Sequence, residues 1–178
     1  MEMTKERVIV NDRGIKNRLK TIKPFSAISE YIWNGFDAKA DQVVIKWSSN
    51  ELGTLDYLSI KDNGTGIPEH KLDLKFKPFL SSEKRNSTDL KHVNLVHGKN
   101  GLGRLTFFKF ANKATWDTTY LNDDGLLYDF SIIINSDSLD NFSKIDSSLS
   151  NSKHSGTNVI FTNIIELSEF YIKNTLLP

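Results

Sequence analysis

The sequence predicts an α+β two-layer sandwich, a mixed β-sheet with its helices on one face. Three observations carry this expectation. Apolar residues recur at helical spacing over residues 24–39. Short segments rich in β-branched and aromatic residues follow, set apart by glycine turns. A second helix-forming stretch at 104–112 comes after a long polar segment and a run of glycines, and further strands follow it. Helix, strands, polar segment, helix and strands in that order fit helices laid against one sheet.

The elements are justified in chain order. Residues 1–20 are polar and basic, with a strand candidate at 7–10, and are expected to form an N-terminal arm outside the core. Pro24 suits the first turn of a helix, where its missing N–H costs nothing. Phe25, Ile28, Ile32 and Phe36 then supply the apolar face. Residues 42–47 and 55–61 read as strands joined by a turn at Gly53. Residues 67–97 are rich in Lys, Ser and Asn, with helical potential near 69–76; a connection this long often marks a lid or binding loop. Residues 114–121, 126–135 and 157–162 complete the strands. Ser, Asp and Asn dominate 136–155, which is expected to be a surface loop.

Composition narrows the function. A chain of 178 residues is enough for one domain with a real core, and 38% apolar content with 11 Phe points to a folded chain. The net charge of +1 gives no support to strong nucleic-acid binding, although a local basic patch is compatible with it. With no cysteine there is no disulfide, thiolate nucleophile or thiolate metal site. The charged N-terminus is no secretory signal and nothing approaches a membrane-spanning length, so a cytoplasmic protein without membrane partners is expected.

Three constellations can carry chemistry. Glu30 and Asn34 lie four apart and share a helix face, with Asp37 nearly on it. A carboxylate beside a carboxamide suits Mg²⁺ and water; alone, the pair reads more readily as an exposed polar face. Asp62-Asn63-Gly64-Thr65-Gly66-Ile67 ends a strand. Its Asp can accept a hydrogen bond from an adenine amino group, its glycines admit a flat ring and Ile67 can pack on that ring; the plainer reading is a turn. Gly98, Gly101 and Gly103 precede a helix, where backbone N–H groups can meet phosphate; the plainer reading is a hinge.

Taken in order, with the late pair Gly156-Thr157, these motifs resemble the GHKL ATPase superfamily of gyrase B, heat-shock-ninety, histidine kinase, MutL and MORC proteins. Glu30 to Ala38 looks like its first motif, Asp62 to Ile67 its second, Gly98 to Gly103 its third and Gly156-Thr157 its fourth, together spanning 22–163. The segment after the third motif is more similar to the chaperone, MutL and MORC side than to the kinases. The resemblance implies a Bergerat fold over residues 1–178, with 1–20 as arm and 67–97 as ATP lid, forming the N-terminal part of a larger protein.

By the same resemblance Glu30 would be the general base, Asn34 the Mg²⁺ ligand and Asp62 the adenine reader. Gly64 and Gly66 would shape the base pocket, Gly101 and Gly103 would cradle phosphate, and Thr157 would reach the adenine side. Asp37, Ile67, Lys99 and Leu102 complete the nucleotide-binding candidates. Phe36 departs from the small or aliphatic residue expected there, and the segment 81–84 matches the Ser-Lys lid element only loosely. Lys84 and Arg85 read as solvated charges. His70, His92, His97 and His154 show no metal-ligand spacing, and Trp33 reads as packing.

The implied function is Mg²⁺-dependent ATP binding and slow hydrolysis, driving lid closure and homodimerisation as a switch for downstream effector domains. Two alternatives stand beside it. A histidine kinase-type phosphotransferase is disfavoured by Glu30 and by the lack of an upstream phospho-acceptor helix. A non-catalytic nucleotide-binding regulatory module is disfavoured by Glu30. A nucleic-acid partner, suggested by the gyrase and MutL relatives, has no support in the net charge.

Overall fold

In the computed structural model, which describes residues 11–76, 102–165 and 167–175, six strands form one sheet. They are β1 (Val43–Ser49), β2 (Leu55–Asp62), β3 (Ala111–Leu121), β4 (Leu127–Asn135), β5 (Ser143–Leu149) and β6 (Gly156–Ile164), in the order β1-β2-β6-β3-β4-β5. Every ladder is antiparallel, where a mixed sheet was expected. The helices are α1 (Asp12–Leu19), α2 (Pro24–Asp37), α3 (Leu72–Phe76) and α4 (Glu169–Thr175), with 3-10 segments at Glu69–Lys71 and Gly103–Lys109.

Strand alternation sets the two layers. Ala114, Trp116, Thr118 and Tyr120 of β3 are buried in turn, and the residues between them face outward. Leu58 and Ile60 of β2, Val159 and Phe161 of β6, and Phe130 and Ile132 of β4 belong to the same core. Ala27, Ile28 and Tyr31 of α2, together with Leu105 and Phe107 of the second 3-10 helix, join it from the helical layer. Phe107, Phe110 and Phe161 are wholly buried, and each such ring contributes on the order of 2–3 kcal/mol of transfer free energy.

The two-layer architecture is as expected, and the differences lie in its details. The arm is not all outside the core: Ile15 and Leu19 of α1 are buried in it, and Asn11 caps that helix by accepting the Gly14 N–H. The buried face of α2 is Ala27, Ile28, Tyr31 and Gly35, while Phe25 and Phe36 are exposed. Small residues let this helix lie close to the sheet: a β-carbon on Gly35 would be 2.9 Å from Val43 Cγ2 and 3.0 Å from Asp62 Cβ. The helix expected at 104–112 is the tighter 3-10 form.

The expected loop at 136–155 contains a strand, β5, which lies at the sheet edge and is mostly exposed. β5 also fastens the chain that follows the Asp62 motif. Lys144 and Ser147 bind the two carboxylate oxygens of Glu69, and these hydrogen bonds hold its carboxyl below the usual range. Of the expected lid, residues 77–97 lie outside the described residues, as does the strand candidate at 7–10.

Candidate functional site

Three polar residues stand side by side on the helix-facing side of the sheet. Asp62 pairs with Thr157, and Thr157 with Thr118, so β2, β6 and β3 each contribute one member of a cross-strand row. The row interrupts a core face at one end, and all three side chains are buried: Asp62 is 9% exposed, Thr157 7% and Thr118 2%. Asp62 Oδ1 accepts the N–H of Gly64 at 2.8 Å and of Thr157 at 3.2 Å. Its other oxygen has no hydrogen bond among the described residues. Burial raises the Asp62 pKa, and the two N–H groups draw it back in part.

Thr118 holds this row together. Its hydroxyl accepts the Ile67 N–H at 2.8 Å and stands 3.2 Å from Thr157 Oγ1 and 3.4 Å from the Gly156 carbonyl. The chain leaving Asp62 is thereby pinned across the end of β3. Glycine is required twice along this path. Gly66 has φ +69°, and a β-carbon there would lie 2.0 Å from the Thr119 carbonyl oxygen. On Gly64 it would lie 2.5 Å from the Ala38 carbonyl, the group that also accepts the Thr65 N–H at 2.9 Å. The Asp62 turn is therefore docked on the C-terminal end of α2. Asn63 faces the other way, its side chain bound to the main chain of Asp41 and Gln42, and serves the turn.

The other half of the site is the face of α2. Glu30 and Asn34 are half-buried on that face, and Asp37 is exposed at the end of the helix. Gly103 opens the 3-10 helix directly against Glu30: a β-carbon on Gly103 would be 2.5 Å from Glu30 Oε2. The first and third motifs thus meet through a carboxylate and a bare Cα. The Tyr31 hydroxyl donates to the Arg104 carbonyl at 2.8 Å and so joins the same two elements.

Among the described residues no group of three or more His, Asp or Glu side chains is placed to hold a metal ion by itself. Glu30 and Asn34 suit instead an ion that takes most of its oxygen ligands from phosphate and water, as Mg²⁺ does. That donor set, with glycines where ligand and backbone must approach, fits a nucleotide phosphate and its ion.

Of the expected site residues, Asp62, Gly64, Gly66, Ile67 and Thr157 come together, as do Glu30, Asn34 and Gly103, and Gly35 against Asp62 joins the two groups. The Leu102 side chain is buried in the core, so only its main chain is available to a ligand. Lys99 and Gly101 lie outside the described residues, as do Lys84, Arg85, His92 and His97. Thr118 and Tyr31 were missed. The signal for Thr118 was a hydroxyl at an inward position of an alternating strand; for Tyr31, it was an aromatic with a polar tip on the motif helix. A polar cavity of about 910 Å³ borders Asp62 and Thr157 along with the outward-facing Lys61, Asp117 and Asn158, but includes none of Glu30, Asn34 or Gly103.

Known proteins resemble this chain in sequence and in fold. Residues 22–159 match the family described as histidine kinase-, DNA gyrase B- and HSP90-like ATPase. The DNA mismatch repair protein MutL of Macrococcus caseolyticus is 35% identical over 71 residues, 40% of this chain and 11% of that protein. The MutL of Staphylococcus carnosus is 31% identical over 74 residues, 42% of this chain and 11% of its own length. The chain thus spans about a tenth of the length of these relatives. The ATPase region of Saccharomyces cerevisiae topoisomerase II superposes over 78% of this chain and 37% of its own, with TM-score 0.51 and 17% identity, a likeness of fold. With a family match that runs from the start of α2 into β6, most of the chain, and MutL among its relatives, the chain belongs to the histidine kinase-, DNA gyrase B- and HSP90-like (GHKL) ATPase family.

Proposed function

We propose that this domain binds ATP with Mg²⁺ and hydrolyses it slowly, as a conformational switch for partner domains. The observation that carries the reading is the buried Asp62 carboxylate, with one oxygen held by the Gly64 and Thr157 N–H groups and the other without a hydrogen bond among the described residues. A fixed acceptor at the end of a flat pocket suits the amino group of adenine, and it disfavours guanine, which presents a carbonyl oxygen at that position. Ile67 and the bare Cα atoms of Gly64 and Gly66 give the base its faces.

Glu30 takes the proton of the attacking water. Asn34 is the protein's ligand for Mg²⁺, which when bound neutralises phosphate charge. The main chain at Leu102 and Gly103 receives phosphate oxygens, with Asp37, Lys99 and Gly101 as further contacts. Thr157 meets the base beside Asp62. Closure of residues 67–97 over the nucleotide and pairing of two copies belong to the same proposal; family membership supports both, and 77–97 lie outside the described residues. Likeness to MutL favours a switch that acts through partner domains over a kinase. Transfer of phosphate to a supplied histidine domain, with none released to water, would reverse that preference.

Calorimetric titration of ATP with Mg²⁺ tests the site. Saturable binding to the wild type is expected, abolished in Asp62→Asn and weakened in Asn34→Ala only when Mg²⁺ is present. Binding indifferent to both substitutions would put the nucleotide elsewhere.

A further inference from the structure

Tyr31 follows Glu30 on α2, and its ring is buried against Phe161 at 4.8 Å between centroids. Its hydroxyl donates to the Arg104 carbonyl at 2.8 Å and accepts the Phe107 N–H at 3.2 Å. Residues 104 and 107 are i and i+3, the pair that a 3-10 turn bonds to each other. One side-chain oxygen on α2 therefore holds both groups and sets how far the 3-10 helix stands from α2. Burial pushes the Tyr31 phenol up, so the hydroxyl keeps its proton and its donor role.

A second hydroxyl, that of Thr106, reaches α2 one turn back and more weakly, because its single proton has two carbonyl acceptors to serve. Thr106 Oγ1 lies 2.7 Å from the Gly103 carbonyl and 3.4 Å from the Ala27 carbonyl, and Thr106 is buried. Both contacts lie within four residues after Gly103, whose bare Cα faces the Glu30 carboxylate. On its other side the 3-10 helix is fastened to α3. The Arg104 guanidinium donates to the Phe76 carbonyl at 2.8 Å and lies 5.6 Å from the centre of the Phe76 ring.

We infer that Tyr31 and Thr106 are positioning residues for Glu30: their hydroxyls fix the 3-10 helix against α2 and thereby set where the Glu30 carboxylate sits beside Gly103. The inference rests on the reading of Glu30 as the base. Neither residue belongs to the nucleotide-binding set, so both act on turnover and not on affinity.

Tyr31→Phe tests this on the full chain. The Arg104 carbonyl and Phe107 N–H lie within the 3-10 helix, whose i to i+3 pairing can satisfy both, so the fold survives while the helix is no longer held to α2 at this point and Gly103 shifts. The measurements are steady-state phosphate release, calorimetric ATP affinity and a thermal melt. We expect kcat to fall about tenfold or more with ATP affinity held within about threefold, and the melt to stay above the assay temperature. Thr106→Val, which removes the second tie, should give the same split and keeps the test standing if Tyr31→Phe does not fold. Unchanged kcat in both variants, or a parallel loss of kcat and affinity, overturns the inference and leaves the ATPase reading intact. A wild type that binds no ATP, or binds it without turnover, brings down that reading and the inference with it.

Discussion

The Glu30 carboxylate rests against the Cα of Gly103, so close that a β-carbon there would lie 2.5 Å from Oε2. The atom met is the free end of a flexible side chain, and a methyl group would displace the carboxylate before it strained the backbone. Gly103→Ala should therefore cost less than about 1 kcal/mol of stability and lower turnover by roughly tenfold to a hundredfold. Phosphate release and urea denaturation measure the two quantities. Full turnover in this variant would show that hydrolysis does not depend on where the carboxylate sits.

The same reasoning gives the opposite result at Gly66. Its φ of +69° and the Thr119 carbonyl 2.0 Å from a would-be β-carbon combine conformational strain with a backbone clash. Gly125 has φ +80° with nothing within 4 Å, and so isolates the strain. Gly125→Ala should destabilise by about 1–2 kcal/mol, and Gly66→Ala by at least about 2 kcal/mol more. Equal losses in the two variants would mean that the turn at Gly66 moves freely away from β3.

Acidity should act on Asp62 in two opposed ways. Burial raises its pKa in the folded chain, with the N–H groups of Gly64 and Thr157 drawing it back in part. The folded state then binds this proton more tightly than the unfolded state. Stability falls as pH rises from the unfolded value through the raised folded value, and is level above it. ATP affinity runs the other way, because only the ionised carboxylate offers both oxygens as acceptors, and it weakens as pH falls through the raised pKa. Asp62→Asn should flatten both dependences, read by denaturation and calorimetry over about pH 4 to 8.

Thr118 should prove structural and functional at once. Thr118→Val leaves the Ile67 N–H without its acceptor, which costs about 1–3 kcal/mol, and it frees the chain carrying Gly64 and Gly66. Thr118→Ser keeps the hydroxyl and should restore most of both stability and ATP affinity. If Val and Ser behave alike in melts and titrations, the hydroxyl is not what pins the turn.

Some of this was legible in the sequence and some was not, for reasons that differ by residue. Asp62, Gly64 and Gly66 stood out because a tight turn at a strand end leaves glycines at fixed places, Gly66 for its positive φ and Gly64 for the close Ala38 carbonyl. Helical spacing put Glu30 and Asn34 on one face, and only the order of the motifs along the chain marked that face as a candidate site. The buried face of α2 was misread because large apolar residues were weighted over small ones. Ala27 and Gly35 face the sheet, where closeness counts, and Phe25 and Phe36 stay exposed. β5 was hidden by its composition: an edge strand with solvent on most of its surface needs few apolar residues, and Ser143, Ser147 and Ser148 gave it the look of a loop. Thr118 gave no motif at all, since its importance comes from β6 and the Ile67 main chain meeting it in space.

The strand order has a consequence for how the molecule is made. β6 is the last strand in sequence, yet it lies between β2 and β3 and bonds to both. Until it inserts, β1-β2 and β3-β4-β5 are two separate ribbons with open inner edges. Asp62 and Thr118 sit on different ribbons, and Thr157 is the residue that brings them together. On the proposed reading of Asp62 and Thr157 as the adenine side of the site, the emerging chain has no complete base site until β6 closes the gap, a long-range pairing of the slow kind. Nucleotide capture would then report a completed fold, and a ribosome-bound chain would stay blind to ATP until nearly all of this domain had left the exit tunnel.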